Sequence, residues 1–183
     1  MALRDDLVRT VRAEAGAFRD RHRTLCDRHG LAAELRRRAR ETSPEAAGSD
    51  RAVACDDLSP RVRRLVWRLW TLDTAPLGLI LSGPAYADNP VRYATRTVRD
   101  LTGYELSDLR GENPRLLQGP ETEPGAVADL REAITSWDEV TVELTNYRAD
   151  GTQFRNRVSL APLRGTDGTV AHWLGVQGRV DPE

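Results

Sequence analysis

The sequence predicts an α+β protein: a five-stranded antiparallel sheet with short helices on one face, preceded by N-terminal helices. Three observations carry that prediction. Apolar residues recur at helical spacing through the first 70 positions. From Leu77 onward the pattern changes to short apolar runs bounded by turn residues. Two longer runs then flank Ala149-Asp150-Gly151, a hairpin signal. At 183 residues the chain fits one domain with an extension, which we divide into a helical part at 1–73 and a core at 74–180.

In chain order, residues 3–28 read as one helix. Val11, Phe18 and Leu25 stand at heptad spacing on a stripe that also holds Leu3 and Leu7. His29-Gly30 ends it, and Leu31, Leu35 and Ala39 mark a second, Arg-rich helix to about Arg40. Residues 41–57 turn to Ser, Pro, Gly, Ala and Asp, so a linker is expected there. Ser59-Pro60 starts another helix, a hydroxyl cap followed by a residue whose missing N–H costs nothing in the first turn. Its face of Val62, Leu65, Val66 and Leu69 is too apolar to stand alone. Strands are expected at 77–82 and 91–94, short helices at 95–102 and 106–109, and a longer helix at 124–136. Strands at 139–148, 153–162 and 169–177 complete the sheet.

Composition excludes several classes of function. Hydrophobic residues make up 39% and charged residues 30%, as in an ordinary globular protein. All 27 basic residues are Arg, and they are spread unevenly: residues 1–70 carry net +5, the remainder net −6. The basic run Arg36-Arg37-Arg38 sits in a helix–turn–helix-like stretch, but it reads as a solvated face, so nucleic acid is not an expected partner. No run of 18 apolar residues could span a membrane, and the charged N-terminus lacks a signal core, so a cytoplasmic location is expected. Cys26 and Cys55 are isolated and read as inert thiols. His22, His29 and His172 stand apart from any nucleophile, and Asp56-Asp57 falls in the expected linker. Neither a catalytic group nor a metal site is expected, and the chain does not read as an enzyme.

The most informative stretch is Gly111-Glu112-Asn113-Pro114-Arg115-Leu116-Leu117-Gln118-Gly119. Asn113 can cap a short helix that Pro114 begins, presenting a planar cation at Arg115 and an amide at Gln118. The stretch resembles the G-x-N-C-R-F-L-Q-G signature of LOV domains, the flavin-binding blue-light sensors of the PAS superfamily. Pro114 stands where that family has its reactive Cys, and Leu116 where it has Phe. Further segments extend the resemblance over about residues 77–180: Asp88-Asn89-Pro90-Val91-Arg92-Tyr93-Ala94, Leu101-Thr102-Gly103-Tyr104, Val142–Tyr147 and Gly175-Val176-Gln177. They keep the family's order and need no gap between Ile80 and Gln177.

The resemblance implies FMN as cofactor. Arg115 and Arg131 would hold its phosphate, a task suited to guanidinium groups. Asn146, Asn156 and Gln118 would bond the polar edge of the ring system, where an amide offers donor and acceptor together. Ile80, Leu117, Val127, Leu130 and Ile134 would form apolar walls, and Ser82, Asn89, Asn113 and Pro114 match remaining contact positions. Residues two apart on a strand share a face, so Asn156, Val158 and Leu160 point together, as do Trp173, Gly175 and Gln177. Trp173 replaces the family's usual Phe.

Without a thiol at position 114, the implied function is a blue-light photoreceptor that forms no cysteinyl adduct. A nearby Trp or Tyr would reduce the excited flavin to a semiquinone, and Gln177 would reorganise its amide in response. Output is expected through the N-terminal helices, by a change of packing or within a homodimer. The alternative is a light-insensitive PAS-type module for dimerisation or redox sensing.

Overall fold

The computed structural model describes residues 2–44, 58–165 and 167–180. Most of the linker expected at 41–57, with Cys55, Asp56 and Asp57, lies outside them. The chain divides into two compact units, Met1–Ala75 and Pro76–Glu183.

The first unit holds four α-helices among the described residues: α1 (Leu3–Val11), α2 (Phe18–Arg28), α3 (Ala33–Glu41) and α4 (Pro60–Thr71). Ser59 caps α4 as its sequence suggests, its Oγ accepting from the Val62 N–H at 3.4 Å. The single helix expected over 3–28 is instead two. Arg68, on α4, donates to the carbonyls of Val11 and Ala13 at 2.6 Å each and so caps α1 from a distant part of the chain. The chain then turns through Gly16 and restarts at Phe18, whose ring lies 5.0 Å from that of Trp67 and 4.9 Å below the Arg68 guanidinium. Burial pulls the Arg68 pKa down to about 10, which still leaves it charged at neutral pH. A second anchor joins α1 to α2: buried Asp6 accepts from Arg28 at 2.9 Å and pairs with His29 at 2.8 Å.

The second unit is an antiparallel sheet in the order β2-β1-β5-β4-β3. Its strands are β1 (Gly78–Ser82), β2 (Val91–Ala94), β3 (Val140–Tyr147), β4 (Gln153–Arg164) and β5 (Val170–Arg179). Between β2 and β3 lie α5 (Arg96–Thr102), α6 (Leu106–Leu109), a 3₁₀ turn (Pro114–Leu117) and α7 (Pro124–Ser136). The pairings Leu144↔Asn156, Val158↔Gln177, Leu160↔Gly175 and Ile80↔Gly175 set one sheet face. Directly opposed residues of antiparallel strands share a face, so Ile80, Ser82, Leu144, Asn146, Asn156, Val158, Leu160, Trp173, Gly175 and Gln177 all project the same way. Val91, Ala94, Val98 and Leu109 pack with Ile80 into a small core at one end of that face.

Candidate functional site

A cavity of about 320 Å³ opens over this face, within the usual range for small-molecule sites. Of the residues singled out from sequence, the sheet contributes Ile80, Ser82, Asn146, Val158, Leu160, Trp173, Gly175 and Gln177 to its lining. Helix α7 adds Val127, Leu130, Arg131 and Ile134, the 3₁₀ segment adds Asn113, Pro114, Arg115, Leu117 and Gln118, and the β1–β2 connection adds Asn89. Asn156 alone stands outside the lining. It is fully buried and bonded to two residues that line the cavity, Nδ2 donating to Asn146 Oδ1 at 2.9 Å and to Gln177 Oε1 at 3.0 Å.

Four lining residues were missed: Ala85, Asp88, Leu144 and Thr135. Two had a readable signal. Leu144 lies two positions before Asn146 on one strand, and Thr135 one turn after Arg131 on one helix. Ala85 and Asp88 sit in a connection whose path depends on backbone angles rather than periodicity.

The motif turn forms for local reasons. Asn113 Oδ1 accepts from the Arg115 N–H at 2.9 Å, and Pro114 occupies the first position behind that cap. Gly119 ends the segment against β3, where a Cβ would lie 2.4 Å from the Tyr147 ring, so the close approach needs a glycine. A carboxylate ties α7 to the same strand. Glu123 accepts from the Thr145 N–H at 2.6 Å and pairs with Arg155. The Thr145 amide, with help from Arg155, holds the Glu123 carboxyl below its ordinary range.

At the rim, Asp88 and Asn89 both adopt positive φ, +64° and +48°, in the left-handed region that Asp and Asn tolerate better than most residues. Asn113 Nδ2 donates to the Asp88 carbonyl at 2.7 Å and to its Oδ1 at 3.1 Å, while Arg115 pairs with Oδ2. Arg115 is therefore engaged by a carboxylate of its own chain. Arg131 is exposed beside the cavity.

The donors and acceptors at the back wall can be tested against a flavin. Asn156 Oδ1 and Gln177 Nε2 are buried and make no hydrogen bond within the protein, and Asn89 Oδ1 is in the same condition. Buried polar atoms are normally satisfied, so the unpaired Gln177 donor and Asn89 acceptor, both on lining residues, point to a ligand that offers an acceptor and a donor. At Gly175 a Cβ would meet nothing nearer than Ile80 at 3.7 Å, so the space beyond it is cavity. These features, with two guanidinium groups at the rim, fit a flat polar-edged group carrying a phosphate. A larger cavity of about 590 Å³ in the first unit lacks this signature: its arginines include Arg23 and Arg36, paired with Asp20 and Asp27, and no lining residue holds an unpaired buried polar atom. No group of His, Cys, Asp and Glu among the described residues is arranged to hold a metal.

This sheet, with its helices and the cavity between them, is a PAS arrangement. The PAS domain profile matches residues 79–177, just over half of the chain, and the chain belongs to that family. Its homologues include proteins of the LOV type. The chain is 38% identical to phototropin-2 of Oryza sativa subsp. japonica over 107 residues, 58% of this chain and 12% of that protein. It is 44% identical to a blue-light-activated histidine kinase of Rhizobium johnstonii over 90 residues, 49% of this chain and 26% of the kinase. The bacterioopsin transcriptional activator of Halobacterium salinarum is 41% identical over 106 residues, 58% of this chain and 16% of that protein. The chain thus spans less than a third of these relatives' lengths. Among solved structures, the dark-state LOV domain of the photoreceptor Aureochrome1 superposes with a TM-score of 0.57 at 43% identity, covering 60% of this chain and 80% of that one. The LOV domain of an Erythrobacter litoralis blue-light-activated histidine kinase gives 0.56 at 36% identity, covering 58% and 98%. No helix among the described residues is long and apolar enough to cross a membrane.

Proposed function

We propose that this chain is a blue-light photoreceptor module that binds FMN and signals without a cysteinyl adduct. The observation that carries the reading is the back wall, where Gln177 Nε2 is buried without a partner on the lining of a cavity of about 320 Å³. The LOV-type relatives supply its second support. A bound flavin would supply absorption of blue light and the capacity to take up an electron.

The remaining steps belong to the chain's own residues. Arg115 and Arg131 would hold the phosphate, Asn146, Asn156 and Gln118 the polar ring edge, and Val127, Leu130 and Ile134 would exclude water. Pro114 carries no thiol, so no side chain at that position can bond covalently to a ligand. Trp173, 1% exposed on the cavity wall, is an oxidisable side chain held out of water. Gln177 can change from donor to acceptor by turning its amide over, and Asn156, already bonded to its Oε1, would register the change. We read residues 1–73 as the output segment, acting through helix packing or a homodimer, and the module as a sensor rather than an enzyme.

Absorbance spectroscopy tests this. Purified protein is expected to show a structured blue band that responds to illumination. A colourless protein that FMN does not reconstitute would overturn the reading, and a flavin band unchanged by light would favour a light-insensitive PAS module.

A further inference from the structure

We propose that Asp88 sets ligand specificity at the cavity rim. It is a built-in counter-anion that holds Arg115, competes with a ligand's phosphate for it, and so limits the preference for phosphorylated over unphosphorylated flavin. The inference rests on the flavin-binding reading above and goes beyond it. Three observations carry it. Asp88 and Arg115 both line the cavity and form an ion pair with each other. The carboxylate is fixed in place, because Asn113 Nδ2 donates to its Oδ1 and to its backbone carbonyl while the guanidinium takes Oδ2. Its backbone is fixed too, since Asp88 N–H donates to the Ala85 carbonyl at 3.0 Å and Asn89 N–H to the Pro84 carbonyl at 3.1 Å across the two positive-φ positions.

A guanidinium already bonded to a carboxylate must give up or share that bond to bind a phosphate, and the phosphate then sits near a like charge. Riboflavin has no phosphate and meets neither cost. Asp88 therefore weakens FMN while leaving riboflavin nearly untouched. The pair is well exposed, 61% for Asp88 and 62% for Arg115, so the effect is modest.

The test is fluorescence titration of the flavin-free full chain with FMN and with riboflavin, read as the ratio of the two dissociation constants. Asp88→Asn keeps an acceptor toward Asn113 and tolerates positive φ. Asp88→Gly removes the side chain at a φ that glycine adopts freely. Both are expected to raise the preference for FMN about two- to fivefold, in line with an exposed ion pair. In an Arg115→Gln background the Asp88 substitutions should shift the ratio less than they do beside Arg115, because only the like-charge repulsion is left to relieve. An unchanged or lowered preference in either Asp88 variant, or an effect undiminished without Arg115, overturns the proposal and leaves Asp88 as part of the turn. Binding of neither flavin by the unaltered chain is a different result: it removes the flavin-binding reading, and this inference with it.

Discussion

At the back wall of the cavity, Asn146, Asn156 and Gln177 are neutral, at most 4% exposed, and bonded to one another across three adjacent strands. At the rim, Asp88, Arg115 and Arg131 are charged and face water. Hydrogen bonds are weak net contributors, but a buried group that loses its partner bears the whole desolvation penalty. Exposed ions have water to fall back on. The wall should therefore matter to the stability of the empty protein, and the rim almost only to what binds.

Four measurements would break or sharpen that contrast. Asn156→Leu takes away the donor shared by Asn146 Oδ1 and Gln177 Oε1, and should cost about 1–3 kcal/mol in urea unfolding of ligand-free protein. A loss below about 0.5 kcal/mol would mean that the wall is no more sensitive than an ordinary surface site. Gln177→Leu removes one acceptor while Asn156 keeps Asn146, so about 0.5–1.5 kcal/mol is expected. This variant should still bind flavin yet lose any light-dependent change in solution scattering. A full light response would send the signal out by another residue.

Glu123 lies between the two extremes, 40% exposed but bonded to a backbone amide. Its carboxyl titrates below its ordinary range when folded, so its contribution is complete above the unfolded pKa and fades as pH falls through the folded one. Glu123→Gln should lower stability at pH 7 by a few tenths of a kcal/mol, and the difference from the unaltered protein should shrink as the pH falls, as unfolding curves at pH 7 and pH 3 would reveal. Arg131→Gln should change stability least, within about 0.5 kcal/mol, while weakening FMN about tenfold in titration. A destabilisation as large as that of Asn156→Leu would erase the distinction between wall and rim.

What the sequence discloses about this molecule follows the range of the forces involved. The cap at Ser59-Pro60 and the turn at Asn113-Pro114 are legible because hydroxyl or amide and proline act within three residues. The hairpin at Ala149-Asp150-Gly151 and the shared face of Val158 and Leu160 are legible because strand period and turn chemistry are equally local. The break between α1 and α2 was hidden because its carbonyls are capped by Arg68, far along the chain. The heptad spacing of Val11, Phe18 and Leu25 then reads as one rod what is built as two. Asp88 shows no partner in the sequence. Its pairing with Arg115 depends on two left-handed backbone angles that no periodicity encodes. The bonds of Asn156 to Asn146 and Gln177 are not legible in the sequence either, because they depend on the register of three strands.

The strand order has a consequence for how the molecule comes into being on the ribosome. β5 is the last of the five strands to be synthesised, yet it sits at the centre of the sheet, between β1 and β4. Until it emerges, β1–β2 and β3–β4 are separate hairpins, each with one inner edge of unpaired amides, and two-stranded hairpins have little stability of their own. The contact of Ile80 with Gly175 spans nearly the whole unit, which favours slow, late closure. Gln177 arrives on that same strand, so the amide wall and the floor of the cavity are completed in one step, and a nascent chain has no cavity in which to hold a ligand before then.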